Sequence, residues 1–323
     1  MIWIRNRVAK GRADMITKEY NTFPSGDGIH HIHYFCIAAE KPKAIIQIEH
    51  GVAEHIERYV TFATKLAEQG YAVFADDHLG HGRSAANEDE LVWFAEKDGW
   101  QLVCEDVWKL HDIAVERFPN IPYVLMGHSM GSFIARTVAI EHSEQIEGLI
   151  ISGTGHQSAP IIGAGKAVCA LEKMRMGSKG RSKLVNNIAF GSYNKAFKPN
   201  RTTHDWLTRD EREVDKYIKD PLCGADATVG LFSDMLTGLN FIRKSRNIRK
   251  MRSDLPIYML SGDKDPVGDM GKGVQMVYVL FKAHGLADVT LRLYKEGRHE
   301  MLNGPDKKLV VKELLKWLDE KIK

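Results

Sequence analysis

Val124-Leu125-Met126-Gly127-His128-Ser129-Met130-Gly131-Ser132 decides the fold. An apolar run ends in Gly-His-Ser-Met-Gly. A second apolar run at helix-compatible spacing follows through Phe133, Ile134, Ala135, Val138 and Ile140. Strand, sharp turn and helix, with glycine two residues before and after a serine, match the G-x-S-x-G elbow that lifts a nucleophilic hydroxyl above a sheet edge. The small residues let strand and helix pass closely. A serine held at positive φ is strained, and at a helix N-terminus it sits beside free N–H groups able to bind an oxyanion. Five residues arise by chance often enough that the flanking chain must carry the argument.

Upstream, Ala44–Ile48 reads as a short apolar strand that ends in Glu49-His50-Gly51-Val52-Ala53-Glu54-His55. A helical pattern (Tyr59, Phe62, Ala63, Leu66) stops at Gly70. Tyr71–Ala75 is the next strand, and Asp76 to Ser84 is its loop. Trp100, Val103, Cys104, Val107, His111 and Ala114 predict a helix over 99–117. Residues 15–24 and 29–38 predict an opening strand pair around the turn Ser25-Gly26-Asp27-Gly28, with alternation across His31–Phe35. Of the histidines at 30, 31 and 33, alternation puts 31 and 33 on one face with no third ligand nearby, and no metal is expected.

Downstream, Gly148–Ser152 is another strand. From 155 to 245 the rhythm breaks: Gly163, Gly165, Gly177, Gly180 and Gly191 interrupt weak helical segments, and no strand is evident. Pro256–Ser261 resumes the sheet, followed by a helix over 271–284, a strand at Val289–Tyr294 and a closing helix through Leu309–Leu318. Alternating strands and helices indicate an α/β fold, a mostly parallel central sheet covered by helices on both faces. The core comprises 1–154 and 246–323, and 155–245 is an inserted helical cap. Ligands then bind at the carboxyl ends of the strands.

Composition narrows the function. A net charge of +3 gives no footprint for nucleic acid. Four scattered cysteines (Cys36, Cys104, Cys169, Cys223) lack metal spacing and fit a reducing, cytoplasmic setting. No stretch reaches the roughly 18 apolar residues of a membrane helix. The N-terminus has four basic residues (Arg5, Arg7, Lys10, Arg12) and no long apolar stretch; it reads as a frayed start ahead of Met15 rather than a membrane-touching arm.

Acyl transfer through serine needs a base, an acid that orients the base, and oxyanion donors. In this type of sheet the order is Ser, then Asp or Glu, then His. Ser129, Asp265 and His299 satisfy it, each just after a strand; Asp263 and Asp269 are rivals for the acid. His284 ends a helix and is read as a capping residue. His128 is expected to point away from the nucleophile, and His78 and His81 to pack. The backbone N–H groups of Met130 and Val52 are the expected oxyanion donors.

His50-Gly51-x-x-Glu54-His55 with Arg58-Tyr59, Asp77-His78-x-Gly80-His81-Gly82-x-Ser84 and Gly127-His128-Ser129-Met130-Gly131 resemble the monoglyceride lipase and lysophospholipase branch of the serine aminopeptidase S33-like α/β-hydrolases. The similarity spans about 20 to 320 and is weakest over the cap. The resemblance implies that Asp265, last in Gly262-x-x-Asp265, is the acid. It also implies cleavage of a single-chain lipid ester, monoacylglycerol or lysophospholipid, through an acyl-serine, without cofactor or metal. The family usually has glycine where Ala53 stands, and the extra methyl is expected to narrow the acyl pocket.

Two alternatives share the serine: a short-chain carboxylesterase, and a prolyl aminopeptidase-like amidase, which would want acidic cap residues. A non-catalytic pocket protein is disfavoured by an intact triad. The cap is basic: eight Lys/Arg and one acid, Glu172, lie between 166 and 200, and six Lys/Arg with no acid between 241 and 252. A solvated face is the plain reading. A basic rim for anionic lipid surfaces is the sharper one, with Ile161, Ile162, Val168, Leu171, Met174 and Met176 lining the acyl entrance.

Overall fold

The computed structural model describes residues 6–8 and 16–323. In chain order its strands and helices are β1 (Asn6–Val8), β2 (Ile16–Pro24), β3 (His31–Ala38), β4 (Ala44–Glu49), α1 (Val60–Ala67), β5 (Tyr71–Asp76), α2 (Gly99–Arg117), β6 (Tyr123–His128), α3 (Met130–His142) and β7 (Gly148–Ser152). Next come α4 (Ala159–Met176), α5 (Lys183–Phe190), α6 (Glu211–Lys219), α7 (Val229–Ile242) and α8 (Ser245–Ile248). The chain then returns through β8 (Ile257–Gly262), α9 (Lys272–Ala283), β9 (Val289–Tyr294) and α10 (Lys307–Lys321).

The strands form one sheet in the order β1-β2-β3-β5-β4-β6-β7-β8-β9. β1 to β3 pair antiparallel and β3 joins β5 antiparallel; every later pairing is parallel. β4, β5, β6, β7 and β8 are buried along their whole length, because helices cover both faces. One face packs on α2, α3 and α9 through Val107, Leu110, Val138 and Phe281. The other packs on α1 and α10 through Phe62, Leu66, Leu314 and Leu318. This is the α/β-hydrolase architecture, and the five helices α4 to α8 lie in the chain between β7 and β8.

Three expectations need correction. The chain start is not wholly frayed: β1 pairs with Ile16–Lys18 of β2. The side chains of the basic N-terminal run lie outside the described residues. In β3 the alternation lasts only to Tyr34, and Tyr34 to Ala38 are all buried. β3 is an internal strand whose Tyr34 and Cys36 face one core while Phe35 and Ile37 face the other. Finally, Gly163 and Gly165 do not interrupt α4. A glycine costs a helix only about 1 kcal/mol, and at Gly165 a Cβ would stand 3.0 Å from Leu236 of α7, so the small residue allows the two helices to pack closely.

Candidate active site

Ser129 follows β6 directly and caps α3, at φ +55° and ψ −121°. Its N–H donates to the Ser152 carbonyl (2.9 Å), so the turn is tied to β7. The flanking glycines are set by close approach. A Cβ on Gly127 would meet the Gly131 carbonyl oxygen at 2.1 Å. The strand therefore runs straight into its own helix, and no side chain fits between them.

The carboxylate of Asp265, in the turn after β8, is fully buried. It accepts from Ser261 Oγ (2.9 Å), from the Val267 N–H (2.9 Å) and from His299 Nδ1, which lies 3.0 Å from each oxygen. The rivals do other work. Asp263 accepts the Glu296 N–H (2.7 Å), Asp269 sits in a left-handed turn at φ +48°, and His284 donates to the Leu280 carbonyl (2.6 Å) at the end of α9. Of these candidates, Asp265 is the one bonded to His299.

The His299 ring is held between Trp206 (5.2 Å between centroids) and His128 (4.6 Å). His128 thus does not merely turn away from the site: it packs on His299 and shares a hydrogen bond with Ser152 Oγ (3.1 Å). Gly153, at φ +58°, makes room, since a Cβ there would stand 2.9 Å from His299 Cε1. Burial alone would lower the His299 pKa, but the Asp265 charge and hydrogen bond outweigh it, and the net shift is upward from 6.5. Burial pulls Asp265 upward, yet His299 and the Ser261 and Val267 donors overcome it, and it ends below its ordinary value. Burial, then the neighbouring His299, pushes His128 down to about 4, so it stays neutral.

A second network shapes the loop after β4. The Gly51 N–H donates to Glu54 Oε1 (2.6 Å), and the Tyr59 hydroxyl donates to the same oxygen (2.9 Å). Arg58 bonds Glu54 with one arm and Glu300 with the other (2.7 Å). Burial opposes ionisation of Glu300, but Arg58 brings its pKa down to about 2. Loop 50–59 is thereby joined to the residue after His299. Glu54, Arg58 and Tyr59 were visible in the sequence as a motif without a role. Trp206, in the cap, carried no signal at all.

Ser129 lies at the junction of two cavities. One, of about 380 Å³, is apolar and lined by Phe133, Val168, Val185, Phe232, Leu236 and Leu239 among others. The other, of about 600 Å³, is polar, with Glu54, Asn187, Asn194, Thr203, His204 and Glu300 in its wall, and His299 and His128 at its base. Val52 lines both cavities and Met130 the apolar one. Ala53, at φ +52°, lines the polar cavity only, so its methyl does not narrow the apolar one. Of the apolar cap residues expected at the entrance, Ile161 and Val168 line the apolar cavity. Leu171 and Met174 are exposed instead, because α4 runs on past the cavity.

Comparison with known proteins agrees in fold and extent. Monoglyceride lipase of Rattus norvegicus is 29% identical over 285 residues, 87% of this chain and 84% of the relative. Monoacylglycerol lipase of Mycolicibacterium smegmatis is 26% identical over 305 residues, 94% of this chain and 97% of the relative. The crystal structure of a thermostable carboxyl esterase from Bacillus coagulans matches with a TM-score of 0.88 at 28% identity, over 95% of this chain and 99% of that one. The serine aminopeptidase S33 family (Hydrolase_4) matches residues 40–306, a span that begins ahead of β4, takes in the serine elbow and passes the His299 loop. The chain belongs to the serine aminopeptidase S33 family of α/β-hydrolases.

Proposed function

We propose that this hydrolase cleaves the ester of a single-chain lipid, a monoacylglycerol or lysophospholipid, with Ser129 as nucleophile, His299 as base and Asp265 as its orienting acid. The observation that carries the reading is the position of Ser129 between an apolar cavity and a polar one. An acyl chain fits the first, a cavity of about 380 Å³ walled by apolar side chains. A hydroxylated head group fits the asparagines, threonines and histidine of the second.

In this mechanism His299 takes the Ser129 hydroxyl proton as Oγ attacks the ester carbonyl. Asp265 holds Nδ1–H, so the opposite ring nitrogen is the one free to accept. The tetrahedral oxyanion receives hydrogen bonds from the backbone N–H groups of Val52 and Met130. Collapse expels the alcohol, which takes the proton from His299. Water then attacks the acyl-serine, again with His299 as base, and frees the fatty acid.

The relatives support this substrate class: two are monoacylglycerol lipases by name, and the Bacillus coagulans esterase was solved in complex with glycerol. That esterase also supports the short-chain carboxylesterase alternative. The amidase alternative needs free carboxylates for a substrate amine; in the polar cavity Glu54 and Glu300 are both engaged by Arg58, and the exposed Asp226 is the lining carboxylate left to serve one.

We take residues 155–245 as the cap on a core of 1–154 and 246–323. Exposed Ile161, Leu171, Met174, Leu184 and Ile188 stand on α4 and α5 alongside Lys166 and Lys183, which supports contact with an anionic lipid surface. Lys173, Arg175 and Lys179 already have acidic partners, which weakens the charge available. Equal, salt-insensitive sedimentation with neutral and anionic vesicles would sink the membrane contact. The four free cysteines support a reducing, cytoplasmic setting.

Hydrolysis of p-nitrophenyl esters and monoacylglycerols of increasing chain length, by wild type and Ser129→Ala, tests the reading. Loss in the variant with preference for chains of about eight carbons or more supports it. Cleavage of acetyl and butyryl esters alone favours the short-chain esterase.

A further inference from the structure

Beneath the oxyanion loop lies a buried acidic pair that the mechanism above does not use. β4 and β5 run parallel in register Ile48↔Ala75, which brings the next residues, Glu49 and Asp76, side by side. Both are fully buried. Glu49 Oε1 accepts from Gln47 Nε2 (2.9 Å), while Glu49 Oε2 and Asp76 Oδ1 have no partner. These carboxylates and His78 Nδ1 all come within 4.8 Å of one another.

The pair leads to the oxyanion loop through two histidines. His78 Nδ1 lies 3.2 Å from Asp76 Oδ2, and its Nε2 lies 3.2 Å from the His50 carbonyl oxygen. Nε2 therefore carries a hydrogen, since a carbonyl can only accept, and Nδ1 carries one as well when it donates to an ionised Asp76, so the ring bridges the pair and the loop as a double donor. The His78 backbone N–H donates to His50 Nε2 (3.1 Å), so on His50 the hydrogen sits on Nδ1, which donates to the Gly51 carbonyl (2.7 Å). The two rings stack at 4.1 Å. A peptide unit is planar and trans, so its C=O and N–H point in opposite directions. Fixing the Gly51 carbonyl fixes the direction of the Val52 N–H.

We propose that Glu49 holds a proton against Asp76, and that this carboxyl–carboxylate pair, acting through His78 and His50, is a positioning device that aims the Val52 N–H at the oxyanion. The inference rests on Val52 being an oxyanion donor. Two adjacent buried carboxylates repel in a medium of low dielectric, and one retained proton removes the repulsion and lets one carboxyl donate to the other. Burial first, and Asp76 second, push the Glu49 pKa well above its usual range. Burial pushes His50 well below its own, which keeps the ring neutral and its Nε2 able to accept.

The test compares Glu49→Leu with Glu49→Gln. An amide N–H donates to Asp76 as a protonated carboxyl does; a leucine of similar size does not. We expect Glu49→Leu to lower kcat by about tenfold or more with KM within about twofold, given that deleting an oxyanion donor outright costs about 10²–10³. Glu49→Gln should recover most of the loss. In parallel, the infrared difference spectrum of wild type against Glu49→Gln at pH 7 should contain the carbonyl band of a protonated carboxylic acid. That spectrum decides the matter where Glu49→Leu fails to fold. An unaffected kcat in Glu49→Leu, equal losses in both variants, absence of the protonated band, or one equivalent of bound metal by elemental analysis each overturn the proposal. Ser129→Ala in the same assay separates the failures. Activity surviving there refutes the acyl-serine reading; its loss beside an unaffected Glu49→Leu refutes only the positioning role.

Discussion

Gly131 lies so close to Glu49 that a Cβ on residue 131 would stand 2.1 Å from the Glu49 carbonyl oxygen. The first turn of α3, which begins just after Ser129, thus rests on the backbone that leads into the proposed oxyanion loop. Gly131→Ala forces the two apart, and overpacking of this kind costs about 1–3 kcal/mol. Chemical denaturation should show that loss. Labelling of Ser129 by a fluorophosphonate should slow even in the folded fraction, because the Val52 and Met130 donors no longer converge. A variant that folds and labels like wild type would contradict the contact.

The pH profile follows from His299 and Asp265. The base works when neutral, and its pKa is raised above 6.5 in the fold. Activity should therefore rise with pH along a limb centred above 6.5. Asp265→Asn leaves burial as the dominant influence, so the limb should move to lower pH while kcat drops by about 10³–10⁴. In stability the signs are opposite for the two groups. The His299 contribution is complete below 6.5 and disappears as pH rises through the folded pKa. The Asp265 contribution is complete above 3.8 and disappears as pH falls through its depressed value. A kinetic limb unmoved by Asp265→Asn would remove Asp265 from the site.

Arg58 is the shared partner of Glu54 and Glu300. Arg58→Met leaves two buried carboxylates without their cation, a loss of about 3–5 kcal/mol. Adding Glu300→Gln to Arg58→Met should restore part of that loss, because one uncompensated charge is gone. Urea denaturation of the single and double variants gives the comparison, and purely additive losses would argue against the shared-cation account.

Ala53 adopts φ +52°, a left-handed conformation that costs a side-chain-bearing residue about 1–2 kcal/mol. Ala53→Gly relieves this but frees the unfolded chain, which takes back about 0.4–1 kcal/mol. A net gain of up to about 1 kcal/mol is expected in the denaturation midpoint. Chain-length preference should not change, since Ala53 lines the polar cavity. A shift in that preference would place the methyl on the acyl path.

Val168 projects from α4 into the apolar cavity. Val168→Trp should shorten it by about four methylenes, worth about 0.8 kcal/mol each and thus about two-hundredfold in kcat/KM for a decanoyl ester. Acetyl esters should be cleaved at close to the wild-type rate. Equal losses on both would mean that the acyl chain lies elsewhere.

How far these features could be read from the sequence depended on distance along the chain. The elbow is local: glycines, serine and apolar runs stand within a few residues, so its strand, turn and helix were readable. Apolar runs likewise revealed β4 to β8, because strands covered on both faces have no polar register to obscure them, and the half-buried edge strand β9 was readable from its own alternation. Asp265 and His299 were within reach as loop residues after strands, yet choosing Asp265 over Asp263 needed family resemblance; the hydrogen bond that decides it spans 34 residues. The packing of Trp206 and His128 on His299 left no trace, since a ring stack between segments of different origin has no periodicity. The division of the site into apolar and polar cavities was equally hidden, because it depends on how cap helices settle over the sheet.

The segment between α5 and α6 is stitched to the loop that carries His299. The His299 N–H points to the Trp206 carbonyl (3.4 Å), the Glu300 N–H donates to the Leu207 carbonyl (2.7 Å), and Arg298 bonds the carbonyls of Asp205 and Thr208. Residues 205–208 are therefore held to the loop that carries His299, and in the proposed mechanism a displacement of this segment with its bonds intact would carry the proposed base away from Ser129.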